Sequence, residues 1–199
     1  MKGDVQANAT NRMYTAGKVF GFLRDMIDHL PDLITAQKSG RISKAFSERI
    51  MLAVTEVNGC RYCSYAHTRM ALEAGMTDGE IKAMLAGIHD DVPEEESAAV
   101  CFAHHYAESA AQPDHAAVAD LVDRYGKGAA SDILAYIRMI TVGNTLGSAL
   151  DALLSRMRGN AFSNSFWWNE VVIVFGFPFV LVALLVRFGV NTLLGRKPK

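Results

Sequence analysis

The chain has 199 residues, a length that suits one domain with a short additional element. Hydrophobic residues make up 50% and charged residues 21%, which excludes a disordered or low-complexity chain. The formal net charge of −1 argues against nucleic-acid binding, because proteins that bind phosphates carry a basic excess. The 3 cysteines do not suit a disulfide-stapled secreted scaffold, and the N-terminus has no secretory apolar run, so we predict a cytoplasmic protein with reduced thiols.

The first part of the chain has the hydrophobic period of helices, and alternating strand patterns are absent from the sequence. We therefore predict an all-α fold, a helical bundle with a hydrophobic helix at the C-terminal end. The first helices are predicted at about 14–30, 43–57 and 60–75. Their boundary residues are Pro31, which ends the first helix, Ser43, which caps the second, and Gly59, which breaks it.

Further residues that mark the start of a helix follow in the second part of the chain. Thr77 and Glu80 form a capping box, and Pro93 precedes three glutamates that suit the positive end of a helix dipole. The later helices are predicted at about 77–86, 93–111, 113–125 and 130–156, and a polar linker follows at 158–165. We therefore divide the chain into a helical domain over 1–157, the linker, and a hydrophobic segment over 166–199.

The C-terminal segment differs from the rest because residues 171–186 carry no charge. Trp167 and Trp168 precede this run and Arg187 follows it, an arrangement of aromatic and basic residues that is typical of a membrane interface. The run is shorter than the roughly 20 residues of a spanning helix. We therefore predict contact with a membrane surface through 166–190, with burial in an oligomer contact as the alternative.

The candidate catalytic residues are Glu48, the pair Cys60 and Cys63, and His67. Two thiols at this spacing can close a disulfide, and at a helix N-terminus the dipole favours the reactive thiolate. His67 lies one helical turn after Cys63, so its imidazole can exchange protons with a thiol. The preceding helix can return Glu48 to the imidazole and orient it.

Roles without redox chemistry are also possible for these residues. The two cysteines and His67 are plausible zinc ligands, with a fourth from Cys101, His104 or His105. We expect Cys101 to be a small buried apolar residue, and both histidines to lie on an exposed side of their helix. Glu48 can also pair with Lys44 on the surface.

These residues resemble the AhpD-like, carboxymuconolactone decarboxylase superfamily over about 18–90, more weakly to 157. The resemblance rests on Glu48, Cys60-Arg61-Tyr62-Cys63, His67 and the Ala-x-x-Ala-Gly-Met-Thr-x-x-Glu-Ile stretch at 71–81. It implies an AhpD-like helical fold, homo-oligomers (often trimers or hexamers) and no metal or organic cofactor. It also implies a redox site, and the catalytic residues that it implies are Glu48, Cys60, Cys63 and His67.

We therefore predict a thiol-dependent peroxidase or disulfide oxidoreductase that uses a peroxide and an external thiol or dithiol. Tyr62 stands where redox members of the family have a histidine, which weakens a proton relay there. We expect Cys63, with the nearer imidazole, to attack the peroxide, and Cys60 to be the accessible thiol. The alternatives are a non-redox enzyme acting on a small carbonyl or lactone acid with His67 as base, and a structural or membrane-associated module with inert or zinc-bound cysteines.

Overall fold

The computed structural model describes residues 12–195, which form eight α-helices and no strand. The all-α prediction is therefore confirmed for this part of the chain. The helices are α1 (Ala16–Asp28), α2 (Leu30–Ser39), α3 (Lys44–Asn58), α4 (Arg61–Glu73), α5 (Asp78–Met84), α6 (Glu94–Glu108), α7 (His115–Met157) and α8 (Trp167–Leu193).

Local capping sets the boundaries of the helices around the site. The Ser43 hydroxyl accepts the Phe46 N–H at the start of α3, and the Thr77 hydroxyl accepts the Glu80 N–H at the start of α5. Gly59 ends α3 in the left-handed region, with φ 69°. These three predicted boundaries are confirmed, and Gly59 places the start of α4 directly beside the end of α3.

The region after α1 differs from the prediction. α1 ends at Asp28, and His29 leaves helical geometry with φ −105° and ψ 21°. The chain then starts α2, with Pro31 in its first turn. A proline costs nothing there because the first N–H groups of a helix have no partner within it. Pro31 therefore starts a second helix instead of only ending the first.

The long helix α7 joins two helices that the sequence predicted separately. Gly126 has φ 73° and ψ 160°, which are not helical, so α7 consists of two helical parts that meet at a kink, where the sequence predicts the break. α6 stops at Glu108, three residues before the predicted end at 111. The second part of α7 runs beside α3, α4 and α8, so it links the thiol region to the C-terminal helix.

α3 is the central helix and packs against α4, α5, α6 and α7. Its side chains Ile50, Leu52, Ala53 and Val54 are fully buried, so apolar residues surround this helix on several sides. A carboxylate on such a helix is costly unless it has a partner. Glu48 occupies that position, and its partner defines the site.

α7 and α8 are both long and apolar enough to cross a membrane by length and composition. The most apolar part of α7 is 56% buried in the protein, whereas that of α8, with mean hydropathy 2.6, is 6% buried. α7 is therefore a core helix. α8 packs along α1 and α7 and leaves most of its surface uncovered.

Candidate functional site

The two thiols lie at the N-terminus of α4. Cys60 is the capping residue, and its sulfur accepts the N–H of Cys63 with an N–S distance of 3.3 Å. Because the Cys60 side chain folds back over the first turn, it is only 1% exposed, whereas Cys63 is half-buried. The expectation that Cys60 is the more accessible thiol is therefore wrong.

This placement makes the two sulfurs unequal. A hydrogen bond from the Cys63 thiol, aided by the N–H groups of Cys63 and Tyr62, lowers the pKa of Cys60 against the opposing effects of burial and of Asp151. The same hydrogen bond, together with burial and the Cys60 charge, raises the pKa of Cys63. Of the two sulfurs, Cys60 is therefore the one whose thiolate form is favoured, which argues against the expectation that Cys63 is the attacking thiol.

Glu48 and His67 form a buried carboxylate–imidazole pair across α3 and α4. The Nδ1 atom of His67 lies 2.8 Å from Oε2 of Glu48, and both side chains are about nine-tenths buried. The structure thus gives Glu48 this partner and not the surface pairing with Lys44. With Nδ1 donating to the carboxylate, the imidazole is oriented and its Nε2 is the nitrogen left for proton exchange. His67 follows Cys63 by one turn of α4, which places the two residues on one face of that helix, and the contact with Glu48 connects this face to α3.

Gly147 of α7 closes the site from the other side. A Cβ atom at this position would lie 2.7 Å from the sulfur of Cys60 and 3.5 Å from that of Cys63. The first distance is far inside van der Waals contact, so only glycine lets α7 approach the sulfurs this closely. Sequence reasoning missed this residue, because nothing near Gly147 in the chain indicates which helix end will pack on it.

An ion pair ties the start of α4 to α7. Arg61 pairs with Asp151, whose carboxylate is buried on α7, and the Arg61 guanidinium lies 5.1 Å from the centre of the Tyr62 ring. The Tyr62 side chain is 39% exposed and points outward. Sequence reasoning did not identify Asp151, although a charged residue within the apolar part of α7 was a signal for a buried partner.

The other cysteine and the neighbouring histidines take different positions. Cys101 is exposed, which corrects the expectation of burial, and it lines a groove between α6 and α7 with His105. His104 is half-buried, with Nε2 3.3 Å from Oε2 of Glu56, so it does not lie on an exposed side of α6. Within residues 12–195, no three His, Cys, Asp or Glu side chains form a cluster that could hold a metal ion. The zinc alternative gains no support from this arrangement.

Comparisons with known proteins agree with the motif. Residues 23–104 match the model of the carboxymuconolactone decarboxylase family, and the matched segment contains Glu48, both thiols of the pair and His67. The predicted resemblance is therefore confirmed over this segment. Searches of curated proteins and of solved structures found no significant match. Gly147, Asp151 and α8 lie outside the matched segment.

Proposed function

We propose that this chain, which carries a carboxymuconolactone decarboxylase family segment over residues 23–104, is a thiol-dependent peroxidase and disulfide oxidoreductase. The observation that supports this most strongly is the thiolate-stabilising position of Cys60, in hydrogen-bond contact with the Cys63 thiol. An inert structural cysteine needs neither a charged form nor a second sulfur beside it. A cysteine pair that cycles between dithiol and disulfide needs both the thiolate and the neighbouring sulfur.

In the oxidising half-reaction, the Cys60 thiolate attacks the terminal, hydrogen-bearing oxygen of a hydroperoxide and becomes a sulfenic acid. An S–O bond forms, the O–O bond breaks, and the alkoxide takes a proton from water and leaves as an alcohol. The Cys63 sulfur then attacks the Cys60 sulfenic acid, an S–S bond forms, and the hydroxyl leaves as water. The peroxide gains two electrons and the cysteine pair loses them. Because Cys60 is buried, we expect small hydroperoxides to react fastest.

In the reducing half-reaction, an external dithiol attacks the disulfide. Cys63 is the more exposed sulfur, so the incoming thiolate bonds to it and displaces Cys60. A thiol with a lowered pKa is the better leaving group, which favours this direction of attack. The second thiol of the reductant then attacks the mixed disulfide and releases Cys63. The reductant is thereby oxidised to a disulfide.

The Glu48–His67 pair serves as the proton relay in this proposal. The pKa of Cys63 is raised, so this thiol must lose its proton to a base when it condenses with the sulfenic acid. The imidazole one turn away on α4 is that base, and it returns the proton to the departing hydroxyl. Glu48 holds the ring in position through its contact with Nδ1. Both residues are therefore assigned to proton transfer, and neither to covalent chemistry.

A non-redox activity is the second candidate, because the matched family is named for a decarboxylase. In that case His67 would act as base on a small carbonyl or lactone acid, and the thiols would stay reduced during turnover. The homo-oligomeric state, trimer or hexamer, stays a prediction in either case.

Counting free thiols before and after exposure to peroxide tests the proposal. The chain has 3 cysteines, and the reduced protein should show all of them in denaturant. Stoichiometric hydroperoxide should remove two thiols per chain, and a dithiol should restore them. A matched variant, Cys101→Ser, removes the exposed thiol and should lose its two remaining thiols at the same rate. Cys60→Ser and Cys63→Ser should form no intramolecular disulfide. Retention of the thiols under peroxide, together with turnover of a lactone acid, would establish the second candidate instead.

A further inference from the structure

The helix α8 uses only one side for packing within the protein. Phe177, Leu181 and Leu184 pack on the cluster that contains Leu23 and Ile27 of α1. Ion pairs hold the helix near both ends: Arg156 to Glu170, with an N–O distance of 2.7 Å, and Arg187 to Asp28. α8 is thus a fixed part of the fold and not a free tail.

The opposite side of α8 is apolar and uncovered. We call it the outer face, formed by Val172, Phe175, Phe179, Val182 and Val186. Phe179 is 76% exposed, and the whole run 171–186 contains no polar or charged side chain. A surface helix of a soluble domain carries polar residues on this side. An apolar environment must therefore cover the outer face.

The width of the exposed surface favours lipid over a second copy of the chain. A helix-to-helix contact covers a narrow stripe and leaves polar residues along its flanks. Here the flanking residues Pro178, Ala183 and Leu185 are also exposed and apolar. Apolar residues therefore cover more of the helix circumference than one partner helix would bury.

The residues around the outer face are of the types that contact lipid headgroups. Phe166, Trp167 and Trp168 are exposed at the start of α8, and the two indole rings stack with centroids 3.8 Å apart. Aromatic residues of this kind collect at membrane interfaces. Lys18 and Arg24 are exposed on α1, the helix that packs along α8, and cationic side chains of this kind favour anionic headgroups.

The contacts of α8 also determine its orientation. α8 follows α1 from Asn169, which lies beside the Ala16 N–H, to the Arg187–Asp28 ion pair. If α8 crossed the bilayer, the charged residues of α1 would enter the hydrocarbon, where they are costly. We propose that α8 lies in the plane of a membrane surface, with the outer face in the acyl region and α1 and α7 on the aqueous side. This proposal is independent of the thiol chemistry.

The protein carries its own reporter, because its 2 tryptophans both lie at the start of α8. The full chain in mild detergent is diluted into phosphatidylcholine vesicles, with and without phosphatidylglycerol. We expect the protein to float with the vesicles, more strongly with the anionic lipid, and its tryptophan emission to shift to shorter wavelength. The double variant F175E/F179E should lower vesicle partitioning by more than about tenfold, since two aromatic rings are lost from the surface that contacts the acyl region.

The control is Ile88→Glu, which places one negative charge on an exposed apolar residue away from α8 and is compared with the single variants F175E and F179E as well. It should bind vesicles like the unchanged chain, and circular dichroism should show equal melting for all variants. Failure of the unchanged chain to bind, or equal loss in I88E, would overturn the proposal. A detergent-free oligomer that F175E/F179E dissociates, without any vesicle binding, would show that a second copy covers the outer face.

Orientation is tested by quenching with lipids brominated at different depths. A single tryptophan is placed at the middle of the outer face by F179W in a W167F/W168F background. An in-plane helix keeps this tryptophan in the outer part of one leaflet, so bromines near the headgroups should quench it more than bromines near the bilayer centre. Quenching that is strongest from bromines near the bilayer centre would show a spanning helix and reject the in-plane arrangement.

Discussion

Among single residues, Gly147 sets the distance between α7 and the thiols. We expect Gly147→Ala to push Cys60 away, because the new methyl group would lie 2.7 Å from its sulfur. The displaced sulfur loses alignment with Cys63, so peroxide-induced disulfide formation should slow by at least about tenfold, which corresponds to 1.4 kcal/mol. Stopped-flow measurement of thiol loss, with the melting temperature recorded in parallel, gives both effects.

Gly143→Ala is the control for this prediction, since Gly143 lies one turn earlier on α7 and a Cβ atom there meets nothing within 4 Å. Alanine is the better helix former, so this variant should be equally or more stable by up to about 1 kcal/mol, with unchanged disulfide formation. If both variants behave alike, the close approach of Gly147 has no role in positioning the sulfurs.

Among single residues, the sequence could predict contacts between residues that are one helical turn apart or lie on helices joined by a short break. It could not predict contacts between helices that are distant in the chain. Cys63 and His67 share a face because they are one turn apart, and the short break at Gly59 returns α4 to Glu48. The contact of Gly147 depends on how two distant helices pack, for which the local sequence carries no signal. The burial of Cys60 likewise depends on α7 covering the cap.

At the scale of elements, the first turn of α4 lowers the pKa of Cys60, mainly through the hydrogen bond from the Cys63 thiol. Because its pKa is lowered, we expect the thiolate to persist as the pH falls below the ordinary thiol range, about 8.5, and to be lost only as the pH passes through the lowered pKa. The alkylation rate of Cys60 by iodoacetamide in a Cys101→Ser background follows the thiolate fraction, and mass spectrometry locates the label.

Adding Cys63→Ala removes the hydrogen-bond donor that lowers this pKa most, so the fall in alkylation rate should move to higher pH. The same chain in denaturant provides the reference profile of an unperturbed thiol. A folded profile that coincides with this reference, or that Cys63→Ala leaves in place, would remove the structural basis for Cys60 as the nucleophile.

The helices themselves were predictable where a cap or a glycine marks them. Ser43, Gly59 and Thr77 act through hydrogen bonds or dihedral angles within a few residues, so the local sequence contains the information. Pro31 was misread because a proline both ends one helix and starts the next, and His29 alone separates α1 from α2. The break at Gly126 was predictable in the same way, because its non-helical dihedral angles are ones that a glycine adopts easily.

At the scale of the whole molecule, the two sides of α8 lie in different environments. Its inner side packs on α1 and α7, and its outer face stays uncovered. The sequence alone could not separate these sides, because residues 171–186 are apolar at every position. Hydrophobic periodicity distinguishes faces only where polar residues alternate with apolar ones.

Two phenylalanines of α8 test this division directly, since they are two positions apart and differ mainly in what covers them. Phe177 packs on the cluster with Leu23 and Ile27, whereas Phe179 is 76% exposed. We expect Phe177→Ala to lower the free energy of unfolding by about 2 kcal/mol, less than for a fully buried ring. Phe179→Ala should change it by less than about 0.5 kcal/mol. Urea denaturation of the full chain in mild detergent measures both. Equal effects would mean that α8 does not pack on the helical domain through one side, because a detached anchor would leave both variants as stable as the unchanged chain.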